Sequence, residues 1–203
     1  DVNVGLGIAL NMGLSHCSCE YIVRMDSDDI SLPERLLEMR DFILDNPGYS
    51  VYGAQILEFI ENDKNIFGIR KVKLKHNNIY TDLQYRNPVN HVSVVIRRMD
   101  LVLAGGYKNF LFFEDYHLWV RMMLKGMRFL NHPNIHVKVR VGRDMIGRRH
   151  GWFYFKQELR FQRFLLDTNS IGKLTFMRNI LLRVLPRLIP KGILKVFYKL
   201  TRE

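Results

Sequence analysis

The chain has 203 residues, of which 47% are hydrophobic and 25% charged, so it is long enough for one domain with an appendage. This composition is typical of globular proteins and excludes a disordered, collagenous or wholly membrane-embedded chain. Its two cysteines, Cys17 and Cys19, are too few for a disulfide framework. The net charge of +11 is uneven, because residues 1–137 carry a net −1 and residues 138–203 a net +12. The sequence therefore predicts a nearly neutral body followed by a basic region.

Predicted helices and strands alternate along the neutral body. Leucines four residues apart predict a first helix, and the start of a second is predicted by Pro33 together with the capping-box spacing of Ser31 and Glu34. The predicted elements are a helix at 6–14, a strand at 21–25, a helix from the capping box to 46, a strand at 51–60, a loop-rich segment at 61–90, a strand at 92–98, an aromatic strand or approach segment at 110–113 and a helix from 114 that stops at Gly126. This alternation is typical of an α/β sheet.

Three carboxylates, Asp26, Asp28 and Asp29, follow the first predicted strand. Ligands bind beyond the carboxyl ends of strands in open α/β sheets, and like charges this close raise one another's pKa unless a cation offsets them. Hard divalent cations take carboxylate oxygens and share their shell with a substrate diphosphate, so one interpretation is a metal–diphosphate site. Two alternatives stay open: an acidic turn that caps the following helix, and a haloacid-dehalogenase-type phosphatase, whose later Gly-Asp motif is missing from the sequence.

A second acidic pair, Glu114 and Asp115, opens the last predicted helix of the body and is surrounded by aromatic residues. Burial would raise the pKa of a general base toward the working range, whereas the helix N-terminus would lower it. The alternative is that both carboxylates only cap the helix.

Motifs from both acidic sites, together with several polar and glycine motifs, occur in a fixed order. The series consists of Asn11–Leu14, Glu20–Ser31, Pro33–Leu36, Asn87-Pro88, His91–Val95, Arg97-Arg98, Gly105–Tyr107, Phe113–Tyr116 and Leu118-Trp119. This series resembles that of family 2 glycosyltransferases, in particular the bacterial enzymes that build capsule and O-antigen repeat units. The resemblance implies an α/β chain with a GT-A, Rossmann-like nucleotide-diphospho-sugar transferase fold, truncated at its N-terminus and followed by a basic amphipathic helical region.

The resemblance also implies roles for individual residues. Asp26 and Asp28 match the family's Asp-x-Asp motif and would bind Mn²⁺ or Mg²⁺, with Asp28 as the direct ligand, while Asp29 would contact the donor. Asp115 would be the catalytic general base, and Glu114 would orient it or touch the acceptor. The implied reaction is an inverting, in-line transfer of a single sugar from a nucleoside-diphosphate sugar, a UDP-hexose, to a glycan or lipid-linked acceptor in surface polysaccharide biosynthesis. A single addition is expected because the Gln-x-x-Arg-Trp signature of processive synthases is missing from the sequence.

The chain also departs from the family pattern. His91 is expected to bind substrate, with a structural role as the alternative, and His117 stands where an acidic residue is more usual. Nothing before Asp1 matches the family's opening strand–helix–strand region, so residues 1–150 are expected to form a partial GT-A domain. The alternative function is a non-catalytic remnant that binds a membrane or a partner through its basic C-terminal helices.

The basic region at 151–203 is predicted to be helical. Arg148 and Arg149, just before it, are candidates for binding the substrate diphosphate, and no nucleic-acid motif accompanies them, so nucleic acid is not an expected partner. Residues 191–202 place basic side chains on one helical face and apolar side chains on the other. This pattern favours a helix on a membrane surface, at the cytoplasmic face of the bacterial inner membrane; the alternative is a helix packed on its own domain.

Overall fold

Two units make up the chain, the first ending at Val141 and the second beginning at Gly142. The structure is a computed structural model and describes residues 4–142 and 149–189. Among these residues, no helix is both long enough and apolar enough to cross a membrane.

Six strands of the first unit form one mixed sheet. They are β1 (Tyr21–Val23), β2 (Ile30–Ser31), β3 (Val51–Phe59), β4 (Ile66–Arg70), β5 (Val95–Arg97) and β6 (Phe129–Arg140). The strand order is β1-β5-β3-β6-β2, and β4 pairs with the second half of β3. Only β3 and β6 run parallel to each other, whereas the other pairs are antiparallel. The sheet therefore centres on the two longest strands, β3 and β6.

Helices connect these strands. They are α1 (Leu6–His16), α2 (Arg35–Asp45), α3 (His76–Asp82), a 3₁₀ turn (His91–Ser93), α4 (Arg98–Leu103) and α5 (Glu114–Leu124). Strand β3 is apolar at nearly every position and buried along its length, as expected for a strand with partners on both edges. Helix α5 adds Leu118, Trp119 and Met122, which are fully buried, to the core. The predicted α/β fold is confirmed, and the predicted helices at 6–14 and from 114 and the predicted strand at 51–60 are present.

Helix α2 differs from its prediction at its start, and its buried face carries a charged side chain. It begins at Arg35 without a side-chain cap, so the capping box of Ser31 and Glu34 does not form. The face toward the protein carries Arg35, which is 1% exposed, while Leu36 and Leu37 are 61% and 54% exposed. The Arg35 guanidinium donates to the carbonyls of Arg24 and Val92 behind the loop that follows β1. Met39, Phe42 and Ile43 pack into the core from the same face, so apolar packing and these hydrogen bonds together turn this face inward.

Three further predictions were wrong in part. The segment 61–90 contains β4 and α3 rather than loop alone. The segment 110–113 is not a strand, because Phe112 has a left-handed backbone with φ of 70°. The predicted strand at 92–98 is shorter, since its first residues form the 3₁₀ turn.

The described part of the second unit is helical. It consists of α6 (Trp152–Asp167), α7 (Lys173–Asn179), a π-helical turn (Ile180–Val184) and a 3₁₀ turn (Leu185–Leu188). Glu158 is fully buried in this unit and pairs with Arg183 at 2.8 Å and Arg187 at 3.3 Å. The predicted amphipathic helix at 191–202 lies outside the described residues.

Candidate active site

The first acidic group lies in the loop that leaves the carboxyl end of β1. The backbone amide of Arg24 donates to the Val94 carbonyl at 3.0 Å, which extends the β1–β5 pairing by one residue before the chain turns. Asp26 and Asp28 follow, with side chains open to solvent. The Arg24 guanidinium approaches Asp26 Oδ1 to 2.5 Å. Two accessible carboxylates therefore lie where a diffusing cation or phosphate ester can reach them.

Asp29, the third carboxylate of this loop, points inward and is 9% exposed. Its Oδ1 accepts the backbone N–H of Arg140 at 2.9 Å, whereas its Oδ2 is buried without a hydrogen-bond partner among the described residues. Burial raises the pKa of Asp29, the Arg140 hydrogen bond lowers it, and the charges of Asp26 and Asp28 raise it further. A buried acceptor with no donor is a place where a ligand's hydroxyl group or cation can pair.

Two buried guanidinium groups support the loop from behind. Arg35 Nη2 donates to the carbonyls of Arg24 at 2.7 Å and Val92 at 3.2 Å. Arg24 is itself buried, and its Nε has no hydrogen-bond partner among the described residues. The negative charge of Asp29 stabilises the charged form of Arg35, while burial and Arg24 lower its pKa. The negative charge of this acidic loop (residues 25–29) is therefore balanced by two arginines buried in the protein. Neither arginine was predicted from the sequence as a site residue.

The second acidic group lies at the start of α5, where Glu114 and Asp115 are both half-buried. Asp115 Oδ2 accepts the side-chain N–H of Asn87 at 2.6 Å, and its Oδ1 accepts the backbone N–H of Tyr116 at 2.7 Å. Burial raises the pKa of Asp115 despite these hydrogen bonds, and burial also raises the pKa of Glu114. One Asp115 oxygen binds the backbone of α5, whereas the other binds the side chain of Asn87. Asp115 therefore does more than cap the helix.

Arg24 links the two acidic groups. Its positive charge lowers the pKa of Asp29 in the first group and of Asp115 in the second. The same charge acts on the side chains of His91 and Tyr107. The two clusters of carboxylates, whose nearest members Asp29 and Glu114 are 85 residues apart in sequence, are therefore both influenced by the charge of one buried guanidinium.

Two histidines near the site have aromatic partners. His91 Nε2 lies 2.8 Å from the Tyr107 hydroxyl oxygen, and its ring packs edge-on against Trp119. Burial and the charge of Arg24 hold the pKa of His91 well below its usual range, so its ring is neutral at neutral pH. His117 turns inward, stacks on Phe110 and accepts the Arg121 Nε–H at 3.2 Å. The substrate-binding role of His91 stays a prediction.

Helix α1 is joined to the same region by a pair of amide hydrogen bonds. Asn11 donates to the Tyr107 carbonyl and accepts the Tyr107 N–H, both at 2.8 Å. Gly106 has φ of 62°, and a Cβ at that position would lie 2.6 Å from Asn11 Oδ1. Only glycine fits both the left-handed backbone and the close approach of Asn11. The turn at Gly105-Gly106 is therefore also the anchor of α1.

The two arginines predicted to bind a diphosphate have no tested role. Arg149 lies in the second unit, where its carbonyl accepts Arg187 Nη1 at 3.4 Å. Arg148 lies outside the described residues. Both assignments stay predictions.

A family model described as Glycosyl transferase family 2 matches residues 1–107, where the acidic loop, Asn87 and His91 lie. The chain belongs to glycosyltransferase family 2. Its membership confirms the resemblance and rules out the phosphatase interpretation of the acidic loop.

Relatives of this family 2 chain extend the similarity to nearly its full length. It is 36% identical over 201 residues to the amylovoran biosynthesis glycosyltransferase AmsE of Erwinia amylovora, covering 99% of this chain and 75% of that protein. It is 33% identical over 199 residues to an Escherichia coli UDP-Gal:α-D-GlcNAc-diphosphoundecaprenol β-1,3-galactosyltransferase, covering 97% of this chain and 71% of that one.

Solved structures share the fold of this family 2 chain. A Pyrobaculum calidifontis mannosyltransferase in complex with GDP-Man and Mn²⁺ matches with a TM-score of 0.53 and 16% identity, covering 94% of this chain and 53% of that one. Staphylococcus aureus TarS residues 1–349 in complex with UDP-GlcNAc match with a TM-score of 0.57 and 15% identity, covering 90% and 52%. The chain thus spans about half the length of these two proteins. The predicted GT-A fold is confirmed.

Proposed function

We propose that this family 2 chain transfers a single sugar, with inversion, from a nucleoside-diphosphate sugar to a glycan or lipid-linked acceptor in surface polysaccharide biosynthesis. The observation that carries the proposal is the contrast between two kinds of carboxylate in one unit of the chain. Asp26 and Asp28 are open to solvent, whereas Asp115 is sheltered and has a raised pKa. Carboxylates in such different environments suit different roles in one reaction.

The solvent-exposed carboxylates, Asp26 and Asp28, are suited to hold a divalent cation that also binds the diphosphate of the sugar donor. In the proposal Asp28 is the direct ligand, Asp26 assists it, and Asp29 contacts the donor. Mg²⁺ and Mn²⁺ prefer oxygen ligands and are commonly held by one or two carboxylates together with substrate phosphates. Asp29 Oδ2, which is buried and has no hydrogen-bond partner among the described residues, adds an acceptor beside them. When bound, such a cation offsets the negative charge that develops on the departing nucleoside diphosphate.

The sheltered carboxylate fits the acceptor side. In the proposed displacement, the bond from the sugar anomeric carbon to the diphosphate oxygen breaks while the acceptor oxygen bonds to the opposite face. The acceptor hydroxyl proton passes to an oxygen of Asp115, and Glu114 orients this base or touches the acceptor. Burial raises the pKa of Asp115 toward the range in which a base accepts a proton efficiently. Asn87 holds one Asp115 oxygen in place at 2.6 Å.

The relatives support the substrate classes in this proposal. The Escherichia coli relative is named for a UDP-sugar donor and a diphosphoundecaprenol-linked acceptor, and AmsE is named for biosynthesis of a polysaccharide. We therefore assign a UDP-hexose as donor and a lipid-diphosphate-linked glycan as acceptor. The basic region at 151–203 would then lie near anionic headgroups at the cytoplasmic face of the inner membrane, where such acceptors are reached, and Arg148 and Arg149 would bind the substrate diphosphate.

Calorimetric titration of the chain with UDP tests the donor site. Binding is expected in Mn²⁺, and it should be lost in EDTA and in Asp28→Asn. The control is Asp41→Asn, which removes one exposed carboxylate from α2 without touching the loop. Binding that persists in EDTA or in Asp28→Asn would overturn the assignment of the cation to this loop. No binding by the folded wild-type chain would favour the non-catalytic alternative, in which the basic region alone binds a membrane or a partner.

A further inference from the structure

A second group of metal-ligating side chains lies where α2 packs on β6. It consists of Glu38 from α2 and His132 and His136 from β6. One donor atom from each residue lies within 4.8 Å of the others, and no other described His, Cys, Asp and Glu side chains form such a group of three. In the described part of the chain, the ligating atoms of these three side chains therefore lie closer together than those of the acidic-loop carboxylates.

An irregularity in β6 brings the two histidines together. Residues four apart in a regular strand lie about 13 Å apart, too far to share an ion. Here the register moves from Ala54 opposite His132 to Gln55 opposite Ile135. The Gln55 side-chain amide donates to the His132 carbonyl at 3.0 Å, which fixes the start of this bulge. As a result the two imidazole rings lie with centroids 4.6 Å apart.

The three ligating atoms already lie near the spacing that a metal requires. Glu38 Oε2 is 3.0 Å from His136 Nε2 and 3.9 Å from His132 Nδ1. Ligands at about 2.0–2.2 Å from a tetrahedral zinc ion are about 3.3 Å from one another. The His132 ring is held edge-on by Phe42 at 4.7 Å, and Asn134 donates to Glu38 Oε2 at 2.9 Å. Small side-chain movements would therefore suffice to admit an ion.

The structure assigns a zinc-type divalent metal site to Glu38, His132 and His136. Two imidazole nitrogens and one carboxylate oxygen favour Zn²⁺, or Co²⁺ in its place, over Mg²⁺ or Mn²⁺, which prefer oxygen alone. His136 is 1% exposed and Glu38 36% exposed, so the ion would sit at the protein surface with water completing its shell. Its ligands are chemically different from those of the acidic loop, and the positive charge of Arg35, which supports that loop, also acts on His136.

The protonation of the cluster agrees with this assignment. Hydrogen bonds from Asn134 and His136 lower the pKa of Glu38, while burial lowers the pKa of both histidines. His132 Nδ1 accepts the backbone N–H of Asn134 at 3.1 Å, and a metal bound to this nitrogen would replace that hydrogen bond. A metal at His136 Nε2 would likewise replace the hydrogen bond to Glu38 and leave the ring proton on Nδ1, which is buried without a hydrogen-bond partner among the described residues.

Such a metal would join the two elements that support the acidic loop. Helix α2 carries Arg35, whose guanidinium holds the loop carbonyl of Arg24, and β6 ends at Arg140, whose amide holds Asp29. The ion would bind one residue of α2 and two of β6. Its expected effect is a higher thermal stability, by about 5–10 °C at a zinc concentration 100-fold above the dissociation constant.

Titration of the untagged, chelator-stripped chain with Zn²⁺ and Co²⁺ tests the site. We expect one tightly bound ion per chain, a tetrahedral Co²⁺ spectrum and a rise in melting temperature. Glu38→Gln and His132→Asn should each weaken binding by at least about 100-fold, since even residues behind the ligands contribute 10–100-fold. His16→Asn, the same change at a histidine outside the cluster, should bind as the wild type does.

The comparison with Asp28→Asn separates this site from the donor site. That variant should keep full zinc affinity even though it is expected to lose UDP binding. The assignment is overturned if the folded wild-type chain binds no zinc, or if Glu38→Gln and His132→Asn bind it as tightly as His16→Asn does. Because both substituted side chains are at least partly exposed and polar replacements are used, we expect these variants to fold, and circular dichroism checks that they do.

Discussion

The two acidic sites of the molecule balance their charge in different ways. In the loop after β1, Asp26 and Asp28 face solvent, and the compensating Arg24 and Arg35 lie behind them in the protein. At the start of α5, Asp115 is sheltered, and its hydrogen-bond donors are a neutral amide and a backbone N–H. Exposed carboxylates with fixed cations behind them suit an external cation and diphosphate. A sheltered carboxylate with neutral partners suits proton transfer. Burial, rather than residue type, is what distinguishes the two roles.

The largest expected effect is on the rate of sugar transfer, when the sheltered carboxylate of Asp115 is replaced by a neutral side chain. Asp115→Asn keeps the size of the side chain and can still accept the N–H of Asn87, but it cannot take a proton from an acceptor hydroxyl. In a form of the protein that shows transfer, we expect the transfer rate to fall by about 10²–10⁴-fold. UDP binding in Mn²⁺ should stay unchanged, because that site depends on the open carboxylates.

The rate of sugar transfer and calorimetric UDP binding, measured on the same preparation, check this expectation. Asp41→Asn, on the exposed face of α2, serves as the control and should leave both quantities unchanged. Wild-type transfer by Asp115→Asn would remove Asp115 from the role of base. Equal losses of transfer and of UDP binding would instead mean that the two acidic sites do not act separately.

A smaller effect, on the free energy of unfolding, is expected from removing Arg35, the buried cation behind Asp26 and Asp28. Arg35→Ala leaves the buried carbonyls of Arg24 and Val92 without their side-chain donor and takes a compensating charge from Asp29. The free energy of unfolding should fall by about 2–4 kcal/mol, as for other buried polar groups that lose a partner. Urea unfolding measures this change.

Arg40→Ala provides the matched control for that measurement. Arg40 lies on the same helix, but its side chain is exposed and pairs with Asp41 at 2.6 Å on the surface. Its removal should change the free energy of unfolding by no more than about 0.5 kcal/mol. If both variants lost the same stability, Arg35 would not support the loop in the way that the hydrogen bonds indicate.

The sequence predicted the carboxylates of both sites but not the groups that hold them. Asp26, Asp28 and Asp115 belong to short motifs with a fixed place in chain order, so a resemblance could locate them. Arg35 could not be found in this way, because no local motif marks a buried arginine. Its partners are two carbonyls contributed by other segments of the chain, which no local pattern encodes.

In the fold, too, some elements follow from local sequence patterns, whereas others depend on residues far away in the chain. The alternation of elements around β3 was predictable from apolar runs and turn residues. The long strand β6 was not predicted, because histidine, asparagine and Pro133 interrupt its apolar pattern. Its pairing comes from β3 and β2, and its bulge depends on the side chain of Gln55, nearly eighty residues earlier in the chain. The Glu38, His132 and His136 cluster therefore could not be predicted from sequence spacing.

The smallest expected effect concerns Asn87, which donates a hydrogen bond to the sheltered Asp115. Asn87→Ala removes the N–H that stabilises the ionised form of Asp115, so the pKa of Asp115, already raised by burial, should rise further. A base must be ionised to act, and activity is lost as the pH falls through its pKa. The acidic limb of the pH–rate profile should therefore move to higher pH by about 0.5–1 unit, the equivalent of one hydrogen bond. Asn77→Ala, an exposed asparagine on α3, should leave the limb in place. A limb that moved to lower pH, or did not move while the maximal rate fell, would mean that Asn87 only supports the fold around Asp115.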